Sequence, residues 1–155
     1  MIWAAIGVNQ LVAPVVFQNV GQGRGNGVNA DRYINQVLRP FVVPFFQRYR
    51  NCLFQQDNAR PHTARATQDF LRHNNVNLLP HPARSPDLNP IEHFWDIMQR
   101  RINALARRPR TAAELRAAVS QLWAQVPQQQ INDLVLSMYR MCVAVINAHG
   151  GATHC

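Results

Sequence analysis

The chain has 155 residues and is 47% apolar, which is enough for one domain with a real core and excludes wholesale disorder. Its net charge is +8, and all 16 basic residues are arginine. A planar fork that pairs with phosphate favours a polyanionic partner such as nucleic acid, although a compositional bias alone could account for the missing lysine.

Residues 2–8, IWAAIGV, and 11–18, LVAPVVFQ, read as two short strands joined by a tight hairpin at Asn9-Gln10. Residues 19–30 hold four of the seven glycines without a G-x-G-x-x-G pattern, so a flexible loop is expected there and not a phosphate cradle. Tyr33, Ile34, Val37, Leu38, Phe41 and Phe45 then recur at helical spacing, with Pro40 and Pro44 set to kink or split that helix. Cys52, Leu53 and Phe54 begin a strand over 52–57 that reads as buried. A helix follows over 62–72 with Ala66, Phe70 and Leu71 inward, then a short strand over 76–80 and a proline-rich loop over 81–90. A helix runs from Pro90 to about Leu105, with Ile91, Phe94, Trp95, Met98, Ile102 and Leu105 on one face. Thr111 and Glu114 form a capping-box pattern for the next helix. Pro127 suits the first turn of the last one, which carries Ile131, Leu134, Val135, Met138, Cys142 and Val145 at core spacing and stops at Gly150-Gly151. Strands mixed with helices, then helices only, make an α/β domain with a helical C-terminal part.

Cys52, Cys142 and Cys155 show no paired spacing, and the six histidines show no zinc pattern. This argues for a reducing compartment and against a disulfide scaffold or a structural zinc. The apolar start lacks a basic residue before Arg24, and no run is long enough to span a bilayer, so neither a secretory leader nor a membrane partner is expected.

Two carboxylates occupy positions where a core element surfaces. Asp57 ends the strand that starts at Cys52. At about 100° per residue, Glu92 falls at the edge of its helix's apolar face, beside Trp95 and Gln99, neither fully buried nor aimed at solvent. Converging carboxylates repel unless a cation lies between them, and Mg²⁺ accepts one or two carboxylates together with phosphate and water. A two-metal site of that kind cuts and rejoins phosphodiesters. Each residue also has a plain reading: Asp57 as a turn former before Asn58, Glu92 as a first-turn acid favoured by the helix dipole.

The segments FQQDNARPHTARATQDFL and NLLPHPARSPDLNPIEHFWDIMQRRI resemble the catalytic core of mariner-superfamily DNA transposases, which are Asp-Asp-Glu enzymes. The likeness extends through MIWAAIG and ADRYINQVLRPFVVPF to most of residues 1–108. One branch of the family separates its second Asp from its Glu by 34 residues, and here positions 58 to 91, 34 residues, lie between Asp57 and Glu92. The resemblance implies a ribonuclease H-like mixed sheet flanked by helices, with Asp57 and Glu92 as catalytic ligands of Mg²⁺ (or Mn²⁺). Asn58, His62, Asn89 and Pro90 then shape the site, His62 being equally readable as an ordinary helix-start histidine. DNA, both transposon ends and target, is the implied partner, with a homodimer and a nuclear location. The expected organisation is a partial catalytic domain over 1–108 and a helical extension over 109–155 that packs on it.

The family carries a further Asp on the central strand that precedes the one MIWAAIG resembles, and helix-turn-helix modules before that. This chain starts after both, so its sheet is expected to lack that first strand and Met1 reads as an internal methionine of a longer parent. Asp31, the only acid before Asp57, and Asp87, in the Ser-Pro-Asp-Leu turn, are not expected to fill the role. The expected activity is that of a cut-and-paste transposase fragment, inactive alone. The rival is a non-catalytic nucleic-acid-binding or dimerising remnant. Arg100, Arg101, Arg107, Arg108 and Arg110 read either as a phosphate-contacting patch or as cations decorating a helix C-terminus.

Overall fold

The N-terminal hairpin forms as Ile2–Gly7 (β1) and Gln10–Val16 (β2) in the computed structural model, which describes residues 1–17, 27–83 and 85–151. Its turn falls on Val8-Asn9, one residue earlier than expected, because Asn9 takes φ 58°, a left-handed conformation that asparagine tolerates. Pro14 is accommodated because a two-stranded ribbon leaves each strand an outer edge. The glycine-rich loop expected over 19–30 lies, for residues 19–26, outside the described residues.

The chain divides into two units, Met1–Trp3 with Val15–Arg84, and Ala4–Pro14 with Ser85–Cys155. In the first, Ala30–Tyr33 (α1) starts at Asn29, whose side chain accepts from the Arg32 N–H as an N-cap. The helix then continues as a π-helix over Ile34–Val42 and returns to α geometry over Val43–Arg48 (α2). Pro40 thus changes the pitch of the helix without ending it, and Pro44 sits harmlessly in the first turn of α2. The wider π turn moves the inner face on by one residue. Val42 and Phe46 are buried where plain helical spacing pointed to Phe41 and Phe45, which are only partly covered.

The expected helix over 62–72 is two pieces, Arg60–Thr63 (α3) and Arg65–His73 (α4), because Ala64 leaves helical geometry at ψ 139°. Ala66 is exposed, and Thr67 takes the inner position with Leu71. The strands expected over 52–57 and 76–80 find each other but are reduced to one parallel bridge, Phe54 with Leu78. Its bonds run from Phe54 N–H to the Asn77 carbonyl at 2.8 Å and from Leu79 N–H to the Phe54 carbonyl at 2.9 Å. Only Phe54 of the apolar run is buried; Leu53 is 60% exposed, as alternation along an extended chain requires. Phe54 packs with Tyr33, Ile34, Val37, Leu38 and Leu71 in the core of this unit.

In the second unit a short 3₁₀ turn, Pro86–Leu88, leads into Pro90–Asn103 (α5), followed by Ala112–Ala124 (α6), Gln128–Leu136 (α7) and Met138–Asn147 (α8). Phe94 and Met98 of α5 are buried, and Phe94 meets Trp123 of α6 edge-on at 4.6 Å. The capping box at Thr111 and Glu114 forms with both reciprocal bonds. Pro127 precedes the first turn of α7 as its N-cap residue. The expected single last helix is broken at Ser137. Of the expected core positions Ile131 is buried, Leu134, Val135, Met138 and Val145 are half-buried and Cys142 is exposed; Met141 is buried, and Leu136, Tyr139 and Ile146 are exposed. The hairpin tip is tied to α7 by a reciprocal amide pair. Asn9 N–H donates to Asn132 Oδ1 at 2.7 Å, and Asn132 Nδ2 donates to Asn9 Oδ1 at 2.9 Å. Among the described residues, no helix is long and apolar enough to cross a membrane.

Candidate active site

Asp57 follows the buried Phe54 by three residues, in the first unit. Its Oδ1 accepts from the Ala59 N–H at 3.0 Å, closing a turn, and from His62 Nδ1 at 2.6 Å. Because a carboxylate only accepts, the imidazole proton facing it sits on Nδ1. The same oxygen thus closes the turn and meets the imidazole. The Asp57 side chain remains 51% exposed while His62 is 17% exposed, so the imidazole holds the carboxylate from the protein side and leaves it open to solvent.

His62 is itself held on three sides. Gln68 Nε2 of α4 donates to its carbonyl at 2.7 Å, and the buried Thr67 hydroxyl donates to the preceding Pro61 carbonyl at 2.6 Å. Tyr33, at the end of α1, lays its ring against the imidazole at 4.5 Å, tilted by 41°. The Tyr33 hydroxyl donates to Gln56 Oε1 at 2.8 Å. Burial pushes the Tyr33 hydroxyl well above the usual phenol range. A hydrogen bond with the Trp3 side chain pulls the other way and the Asp57 charge adds to the rise, so the group is a permanent donor. Asn58 Nδ2 donates to the His81 carbonyl at 3.0 Å, and Gln55 Nε2 meets His81 Nδ1 at 3.3 Å, pinning the following loop to the strand end.

Glu92 lies in the second unit, in the first turn of α5, with its N–H bonded to the Asn89 carbonyl at 3.0 Å. It is exposed, more so than its position at the edge of the apolar face suggested. Asn89 and Pro90 are buried and set the start of the helix, Pro90 needing no N–H at that position.

Of the five clustered arginines, two are tethered. Arg101 Nη2 reaches Gln130 Oε1 at 3.4 Å, and Arg107 Nη2 lies 3.5 Å from Glu114 Oε1. Arg100, Arg108 and Arg110 are exposed, with Arg100 in the last turn of α5.

Sequence reasoning missed Tyr33, Thr67, Gln68 and His81. Tyr33 carried a usable signal, since a tyrosine on a buried helix face needs a partner for its hydroxyl. The others contact the motif from positions that spacing alone does not single out.

Among the described residues, no three His, Cys, Asp or Glu side chains gather as a metal-binding cluster. The donors that are present are nevertheless the right kind. Carboxylate oxygens that solvent can reach, as on Asp57 and Glu92, suit hard ions such as Mg²⁺ or Mn²⁺.

Residues 2–116 match the family model described as DDE superfamily endonuclease. The chain is 40% identical over 125 residues to the Tc3 transposase of Caenorhabditis elegans, covering 79% of this chain and 38% of that one. It is 37% identical over 126 residues to the Tcb1 transposase of Caenorhabditis briggsae, covering 79% and 45%. The chain thus spans about two fifths of the length of these curated relatives. Among solved structures it resembles the Mos1 transposase catalytic domain with raltegravir and Mg, with TM-score 0.72, 25% identity, and 94% of this chain and 70% of that one covered. It also resembles the Mos1 transposase paired-end complex with left transposon end, with TM-score 0.78, 23% identity, and 96% and 43% covered. The shared fold is the mixed α/β, ribonuclease H-like fold of those catalytic domains.

Proposed function

Because this chain belongs to the mariner/Tc1-like branch of the DDE superfamily endonucleases, we propose that it forms part of the catalytic domain of a cut-and-paste DNA transposase, with Asp57 and Glu92 as metal-ligating carboxylates. Residues 1–108 carry the partial catalytic domain and 109–155 its helical extension. The observation that carries the reading is the pair of motifs around Asp57 and Glu92. They are separated by 34 residues and both fall inside the matched stretch.

Bound Mg²⁺ or Mn²⁺ supplies activation of the attacking oxygen and stabilisation of the leaving one. The chain's own residues do the placing. His62 fixes Asp57 Oδ1, Asn58 holds the loop at His81, and Asn89 and Pro90 start the helix that presents Glu92. Arg100, Arg108 and Arg110 are exposed and available to DNA phosphates; Arg101 and Arg107 must leave Gln130 and Glu114 to join them. Relatives solved as paired-end and strand-transfer complexes support DNA and a second copy of the chain as partners; a nuclear location is proposed only because the DNA substrate lies there.

A second reading, a non-catalytic DNA-binding remnant, is favoured by one observation: among the described residues no three His, Cys, Asp or Glu side chains gather as a metal-binding group. Asp31, the only acid before Asp57, is exposed in the first turn of α1. Plasmid nicking with Mg²⁺ by three proteins separates the readings: the 155-residue chain, the chain extended by an N-terminal strand carrying an aspartate, and that extension with Asp57→Asn. The proposal expects nicking by the second alone. Nicking that survives Asp57→Asn removes Asp57 from the chemistry, and no nicking by any of the three favours the remnant.

A further inference from the structure

Tyr33 lies 24 positions before Asp57, outside both carboxylate motifs, yet it touches the carboxylate's imidazole partner and the side chain of the residue before Asp57. Its ring packs on the His62 imidazole at 4.5 Å, and its hydroxyl donates to the side chain of Gln56, the residue before Asp57. Only 1% of Tyr33 is exposed, and it sits in a core built from α1, the π-helix and α4, so its ring has no room to rotate away. The Tyr33 ring, tilted by 41° against the imidazole, limits the planes that the His62 ring can adopt, and within that plane the Nδ1 bond to Asp57 Oδ1 selects which edge faces the carboxylate, as outer partners orient metal-site residues elsewhere.

We propose that Tyr33 is a positioning residue for the metal site: by clamping the His62 ring and the Gln56 side chain it holds the Asp57 carboxylate in the orientation that receives a divalent cation. The inference rests on the reading of Asp57 as a metal ligand. Without the clamp, His62 samples other ring orientations, the 2.6 Å bond to Oδ1 is lost for part of the time, and the carboxylate must be ordered by the ion itself. Metal affinity then falls, with no change in the ligand set.

The test uses the 155-residue chain, labelled for NMR, with Mn²⁺ as the probe. In the parent chain, the nitrogen spectrum of His62 should show the proton on Nδ1, its ring protons should be shifted upfield by the Tyr33 ring, and Mn²⁺ should broaden the Asn58 and Ala59 amide signals. Tyr33→Leu removes ring and hydroxyl together. It should release the proton preference on His62 and raise the Mn²⁺ concentration for half-broadening roughly tenfold, while amide signals of α4 stay in place. Tyr33→Phe keeps the ring, so His62 and the Mn²⁺ midpoint should stay near parent values while only the Gln56 side-chain amide moves. Tyr33→Leu with an unchanged His62 spectrum and Mn²⁺ midpoint overturns the proposal. If Tyr33→Leu does not fold, Tyr33→Phe and the parent decide: His62 ring protons without the upfield shift in either overturn it. If Mn²⁺ broadens nothing near Asp57 in the parent, the metal-ligand reading fails instead, and the His62 spectrum still reports whether Tyr33 positions the imidazole.

Discussion

Replacing Thr67 by valine removes one hydroxyl and keeps the shape of the side chain. Thr67 is fully buried in α4, and its Oγ1 donates to the Pro61 carbonyl at 2.6 Å, across the break where Ala64 leaves helical geometry. Valine leaves that partly buried carbonyl without this donor. Stranding a buried acceptor costs about 1–3 kcal/mol, and the added methyl group in an apolar setting recovers some of it. The expected loss is therefore about 1–2 kcal/mol, or roughly 2–8 °C in Tm for a chain of this size. Urea unfolding should show a lower midpoint with an unchanged m-value, since the surface exposed on unfolding is the same. Thr67→Ser keeps the hydroxyl and gives up one buried methyl, about 0.8 kcal/mol, so it should be the milder change. If valine is as stable as threonine, or serine is the worse of the two, the hydroxyl does not hold α3 to α4 and the reasoning is refuted.

Glu114→Ala removes the acceptor for the backbone N–H groups of Arg110 and Thr111, at 2.7 and 3.2 Å, and should cost about 1 kcal/mol of thermal stability by circular dichroism. Phe94→Ala empties a fully buried position beside Trp123 and should cost about 3–5 kcal/mol, read as earlier loss of the native tryptophan emission during urea unfolding. Neutralising Arg108 and Arg110 should flatten the log–log salt dependence of DNA binding by about two units; an unchanged slope would return them to the status of solvated cations.

How far the sequence carried the structure depends on the kind of signal. Thr111 and Glu114 were legible because a capping box is local and its two bonds are reciprocal. The hairpin was legible because asparagine tolerates the left-handed turn. The shift from Phe41 and Phe45 to Val42 and Phe46 was not, because periodicity assumes a constant pitch and the helix through Pro40 widens. The strands at Phe54 and Leu78 were overdrawn, since apolar runs report burial and not how many ladder bonds form. At the site, the two carboxylates and His62 stood out by motif. Their supports Tyr33 and Thr67 did not, because a buried tyrosine or threonine looks like any core residue until its hydroxyl's partner is seen. Cys142 likewise follows helical spacing without being covered.

The central proposal is that Asp57 and Glu92 are metal-ligating carboxylates. Iron-directed backbone cleavage tests it most directly. Fe²⁺ is substituted for Mg²⁺, ascorbate and peroxide are added, and the fragments are sized. Bound iron should cut the chain near residue 57 and near residue 92, both cuts should fade as Mg²⁺ is added, and Asp57→Asn should remove both together. Cuts at one of the two positions only, or a cut near residue 92 that persists in Asp57→Asn, would contradict that proposal.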